Sequence, residues 1–120
     1  MPNQPEPQAF AEEWVSAWNA HDIERILSHY AEDIVFLSPV AERRLGNGRV
    51  NGRAALRNYW SAGLAAQPDL RFKLREVLAG CQAMTVIYEN HRGQTAAETF
   101  EFGSDAKVVR SFACYSGGRA

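Results

Sequence analysis

Long apolar runs are missing from this sequence: nothing in it approaches the roughly 20 consecutive residues that a helix needs to cross a bilayer. A charge excess of either sign is missing too. Thirteen Lys and Arg stand against 14 Asp and Glu, a formal net charge of −1, and the basic residues are spread along the chain. Neither nucleic acid nor a membrane is therefore expected as a partner. Cysteine is scarce, and Cys81 and Cys114 form no CxxC or metal-like spacing. Each falls in a strand-like segment, where a buried reduced thiol is expected. The opening "MPNQPEPQ" is polar and proline-rich with no apolar h-region. It reads as a flexible lead rather than a signal peptide, and a cytoplasmic location is expected.

Signatures of metal, nucleotide and serine-nucleophile chemistry are also lacking. His21, His29 and His91 have no i, i+4 pairing that would bring two of them onto one ion, so no metal site is expected. His91 stands near a turn and is expected to face solvent. No G-x-S-x-G elbow accompanies a histidine–acid pair. Gly46, Gly48 and Gly52 in "GNGRVNGR" miss the dinucleotide fingerprint, and no parallel strand–loop–helix unit surrounds them. No cofactor is expected. The whole of residues 40–52 reads as a loop, a lid leading to a helix N-terminus, whose Arg43, Arg44 and Arg49 could meet an acidic group at a pocket rim.

What is present suits one globular domain. The chain has 120 residues, 46% hydrophobic and 22% charged, enough for a single core. The expected division is a lead at 1–8, one domain at 9–116 and a flexible tail at 117–120. Phe10, Trp14, Ala17 and Trp18 recur at helical spacing over about 6–19. "NAHD" interrupts that helix, and Asp22 suits the N-cap of a second, with Ile23, Ile26, Leu27 and Tyr30 on one stripe. "DIVFLSP" predicts a short strand closed by a proline. A third helix over about 53–66 carries Leu56, Tyr59, Trp60, Gly63 and Leu64 near one face. Strand material follows. In "LRFKLREVL", Leu70, Phe72, Leu74 and Leu78 alternate with charged residues, and "AMTVIYENH", "TAAETFEF" and "KVVRSFACYS" come after it, parted by turn-like "RGQ" and "GSDA". Three helices and then a meander make an α+β domain: a cone-shaped, curved antiparallel sheet with the three N-terminal helices capping one side.

The residue that stands out is Glu98. In "TAAETFEF", Ala96, Glu98, Phe100 and Phe102 share one strand face, and that face is the apolar one. A carboxyl there must be paired, hydrogen-bonded or neutral, and desolvation would raise its pKa toward a range useful for a general acid or base. The plain alternative is an ion pair with an arginine or a hydrogen bond from the Trp14 indole. Met84, Tyr88 and Asn90 alternate on the preceding strand, and Ser111 and Tyr115 on the last. If those faces are concave, they supply phenols, an amide and hydroxyls that orient a ligand. If not, the tyrosines pack at strand ends with their hydroxyls in water. Trp18 and Tyr59 read as core, whereas Trp14 and Trp60 could wall a pocket.

Three stretches, "EEWVSAWNAHDIERILSHYAEDIVFLSP", "VNGRAALRNYWSAGL" and "ETFEFGSDAKVVRSFACYS", together resemble the NTF2-like superfamily, in its SnoaL-like and ketosteroid-isomerase-like branch. The resemblance covers most of the chain and implies an NTF2-like or cystatin-like α+β barrel with a hydrophobic pocket. It also implies a homodimer through the outer sheet face, and a small apolar molecule in the cone. Ketosteroid isomerases use an aspartate base at the first strand's exit, and a tyrosine with a neutral aspartic acid as oxyanion hole. Those positions fall here on Ser38, Trp14 and Glu98. A serine hydroxyl is no base for a carbon acid and an indole N–H cannot serve as an acid, so steroid isomerisation is not expected. The paired aspartates and bridging arginine of limonene-epoxide hydrolase are not visible either. Two readings remain: a small acid–base isomerase, cyclase or hydrolase acting through Glu98 on a carbonyl compound or epoxide, or a non-catalytic binding or dimerisation module. In both, the ligand would meet Trp14, Ser38, Trp60, Met84, Tyr88, Phe100, Ser111 and Tyr115.

Overall fold

In the computed structural model, which describes residues 4–118, four α-helices and six strands run in this order: α1 (Pro7–Asn19), α2 (Ile23–Leu27), β1 (Tyr30–Leu37), α3 (Pro39–Leu45), β2 (Arg49–Asn51), α4 (Arg53–Ala66), β3 (Lys73–Gly80), β4 (Ala83–Glu89), β5 (Thr95–Phe102) and β6 (Val108–Tyr115), with a short 3-10 turn at Ser116–Gly118. Residues 1–3 of the expected lead and 119–120 of the expected tail lie outside the described residues. The strands form one curved, unclosed sheet ordered β2-β1-β6-β5-β4-β3. Its pairs are antiparallel except β1 with β6, which run parallel.

Helix α1 starts where its backbone is prepared to start. Pro7 has no N–H to leave orphaned, and the Glu6 carboxylate accepts from the N–H groups of Gln8 (3.0 Å) and Ala9 (2.9 Å). Its apolar stripe buries Phe10, Trp14, Val15 and Trp18 against the sheet. Asp22 caps α2 as its position predicts, accepting from Arg25 N–H at 3.2 Å. Tyr30 is not on the α2 stripe. It opens β1, pairs with Val108 of β6, and is fully buried. The helix is only five residues long, so its apolar run passes into the strand before a further turn forms.

Residues 40–52 are not a loop. Ser38 caps α3, its Oγ accepting from Val40 N–H (3.1 Å) and Ala41 N–H (3.4 Å), with Pro39 in the first turn. The helix ends at Gly46, whose φ of +78° is left-handed and suits glycine. β2 then pairs Val50 with Phe36 of β1, and Gly52 at φ +88° turns the chain into α4. A serine–proline start and a glycine end are helix punctuation. The dense glycines and charges between them masked it.

Strand β3 departs from simple alternation. A register shift between Leu74 and Glu76 swaps the faces, so Val77 turns inward and Leu78 is 48% exposed. Both cysteines are free and exposed rather than buried. Cys81 sits in the β3–β4 turn, and Cys114 lies with Arg110 and Phe112 on the outer face of β6. Period two cannot say which face of a strand is the inner one when its apolar residues are few.

Candidate functional site

Strand β5 keeps the alternation its sequence predicts. Ala96, Glu98, Phe100 and Phe102 are all buried, while Thr95 and Glu101 on the other face are exposed. Register places Glu98 opposite Val86 of β4 and Ala113 of β6, in mid-sheet. Its carboxyl accepts one hydrogen bond, from Ser111 Oγ at 3.1 Å. No arginine pairs with it among the described residues, and the Trp14 indole does not reach it. The Trp14 N–H donates instead to the Tyr30 hydroxyl, 3.0 Å away and buried. Loss of solvation with little compensation pushes the Glu98 pKa up to about 8, the Ser111 hydroxyl opposing the shift. At neutral pH this side chain is therefore largely the neutral acid, which is how an apolar site accommodates a carboxyl.

Glu98 forms part of the wall of a cavity of about 130 Å³. That is close to the size of an apolar cavity that takes up benzene, so the space suits roughly one ring. The inner wall is Trp14, Trp18, Trp60, Phe36 and Tyr88, all buried. Their rings interlock edge to face: Trp18 with Trp60 at 5.0 Å, Trp14 with Tyr88 at 5.4 Å, and Phe36 with Trp60 at 5.3 Å. Toward solvent the wall becomes polar, with Asn90 and His91 half-buried, and Arg43, Arg44 and Arg92 exposed.

Of the expected ligand-binding residues, Trp14, Ser38, Trp60, Tyr88 and Tyr115 lie on this wall together with Glu98. Met84, Phe100 and Ser111 do not. Phe100 is wedged under α1, 5.1 Å from Phe10 and 5.4 Å from Trp14, and Met84 is its register partner on β4. Both belong to the closed end of the core, where helix and sheet meet without a gap. Ser111, fully buried, stands behind Glu98 and acts through it. Sharing the inner face of a strand is thus not the same as facing the cavity, because α1 covers part of that face.

Residues read as core or solvent-facing also join the wall. Tyr59 is half-buried there rather than in the core, and Trp18 serves both core and cavity. His91 does not face solvent: its Nδ1 is buried without a hydrogen-bond partner among the described residues, and its Nε2 lies 3.8 Å from the Asp69 carboxylate. Arg43 and Arg44 reach the rim because they close α3, while Arg49, on β2, is not on the wall. Their helical placement had no signal in a segment that read as loop.

The phenols share one condition. Burial raises the pKa values of Tyr59, Tyr88 and Tyr115, so all three keep their protons and can donate. The nearby charges of Arg44 and Arg43 oppose the shift at Tyr59, and that of Arg43 opposes it at Tyr115, without cancelling the effect of burial. Ser38 lines the same wall, and its hydroxyl accepts from the first turn of α3.

A match to the SnoaL-like domain family spans residues 11–112. Among solved structures, a SnoaL-like protein of unknown function from Burkholderia thailandensis is 40% identical, with a TM-score of 0.89 over 92% of this chain and 95% of that one. TerC, crystallised with polyporic acid, is 19% identical with a TM-score of 0.76, over 92% of each chain. An NTF2-like protein of unknown function from Burkholderia pseudomallei is 13% identical with a TM-score of 0.73, over 91% of this chain and 89% of that one. At such identities the last two show the fold alone. No curated protein matches the sequence. With a helix-capped, unclosed sheet around a cavity and a family match over most of its length, the chain belongs to the SnoaL-like domain family of the NTF2-like superfamily.

Proposed function

We propose that the chain is a small acid–base enzyme that moves a proton on a carbonyl compound held in the cavity. One observation carries the reading: a carboxyl on the wall of an aromatic pocket, balanced by a single hydroxyl, with its pKa raised to about 8. A group poised near the working pH exchanges a proton with little cost in either direction. Ionised Glu98 would take a proton from the carbon beside the carbonyl, and neutral Glu98 would return it to another carbon of the conjugated system. The phenols of Tyr88 and Tyr115, protonated throughout, would hold the oxygen as charge develops on it. The indole of Trp14, already given to Tyr30, would contribute only its face.

The test needs no known substrate. In D2O, wild-type protein should speed hydrogen–deuterium exchange beside the carbonyl of small aryl ketones, followed by NMR, and the rate should rise with pH around 8. Glu98→Gln should abolish the exchange. A wild-type protein that speeds no exchange across an aryl-ketone panel, or a Glu98→Gln protein that matches it, sinks the proposal. A second reading, a non-catalytic small-molecule-binding module, is favoured by Ser38: the position that carries the base in ketosteroid isomerases is occupied here by a helix cap. We further propose that two copies associate through the outer sheet face, where Leu78 and Phe112 are exposed.

A further inference from the structure

The cavity has a surplus of positive charge at its rim that its aromatic wall does not explain. Arg43 and Arg44 stand side by side at its rim, exposed, and neither makes an ion pair among the described residues. Several other arginines are engaged: Arg25 with Glu13, Arg57 with Glu24, Arg75 with Glu89, Arg110 with Glu101, Arg49 with Asn51 and Arg53 with the Tyr30 carbonyl. Arg92, also at the rim, donates to Gln67 Oε1 at 3.0 Å. Among the described residues Glu98 is the only carboxyl on the wall, so three guanidiniums share the cavity with one acid. Two guanidiniums without an ion pair at the opening of an aromatic pocket favour a guest that is negatively charged at its outer end.

We propose that the ligand is an aromatic organic acid: a ring of about one benzene unit in the cavity, with a carboxylate or ionised enol at the rim held by Arg43 and Arg44. The guanidinium pair would fix which end enters first, so that a carbonyl at the opposite end of the ring is presented to the inner wall. This deepens the proposed function by naming the substrate class, but it requires only that the cavity binds a ligand. A purely structural account exists for the two arginines, since cations in a last helical turn stabilise the helix dipole. That account predicts an effect on stability and none on ligand charge preference.

The two are separated by a matched pair of probes, 4-acetylbenzoate and the neutral 4-acetylbenzamide, titrated calorimetrically into wild-type protein. The acid should bind at least about tenfold more tightly, a difference of about 1.4 kcal/mol, and 0.5 M salt should reduce the preference. In the Arg43→Gln/Arg44→Gln double variant the preference should disappear, while Arg43→Lys/Arg44→Lys should retain most of it. Glu98→Gln should lose the exchange activity yet keep the preference for the acid, so failure of the acid–base reading is distinguishable from failure of this one. Equal affinities for acid and amide, no measurable binding of the acid, or a preference that survives in the double glutamine variant overturns the proposal.

Discussion

Glu98 sets the pH behaviour of this protein. Its folded pKa of about 8 lies above the 4.5 of an unperturbed carboxyl, so the native state holds the proton more tightly than the unfolded chain. The resulting stability is fully present below pH 4.5 and is lost as pH rises to about 8. The linkage amounts to about 5 kcal/mol as an order of magnitude. Glu98→Gln should therefore flatten the fall in unfolding free energy between those limits, as measured by denaturant titration at several pH values. Ser111 tunes the same group. Its hydroxyl favours the carboxylate, so Ser111→Ala should move the Glu98 ionisation, followed by the carboxyl 13C shift, to still higher pH. Trp14→Phe should leave that ionisation in place. It should cost about 1–3 kcal/mol in stability, because the buried Tyr30 hydroxyl loses its indole donor.

At the scale of elements, α3 joins scaffold to site. One residue, Ser38, caps the helix that carries Arg43 and Arg44 to the rim and itself lines the cavity with Tyr59 and Tyr115. Ser38→Ala should lower stability by about 1 kcal/mol in thermal or chemical unfolding, the usual size of a lost cap. If Ser38 were a catalytic base, the same change would also abolish exchange on aryl ketones; as a cap, it should leave exchange measurable. The signals for α1, α2 and α4 were plain in the sequence: an apolar stripe at helical spacing and, for α2, a capping aspartate. Those for α3 and β2 were obscured because a seven-residue helix and a three-residue strand are too short for a period to show. Tertiary pairing with β1, rather than local propensity, holds β2 in place.

Across the whole molecule, the two faces of the sheet have different tasks. The inner face meets α1 and α4 and leaves the cavity between them. The outer face exposes Leu78 (48%) and Phe112 (37%), large apolar groups whose exposure suits a covered surface better than an open one. Phe112→Glu should shift a dimer toward monomer in sedimentation velocity without changing the fold by circular dichroism. A wild-type protein that sediments as a monomer at tens of micromolar would remove the proposed association.

By itself the sequence determined the fold class, the order of the major elements and the presence of a carboxyl on an apolar strand face. Each is written in a period of 3.6 or 2, or in a residue whose chemistry conflicts with its neighbours. Only the tertiary structure decided which inner-face residues reach open space. Glu98 and Phe100 are two residues apart on one strand face, yet one walls the cavity and the other lies sealed beneath α1. Likewise only the folded chain gives the Trp14 indole to Tyr30 and leaves Glu98 with Ser111 alone, because those choices depend on distances between segments that are remote in sequence. Strand alternation is a local property, whereas a cavity is what remains where two layers fail to close.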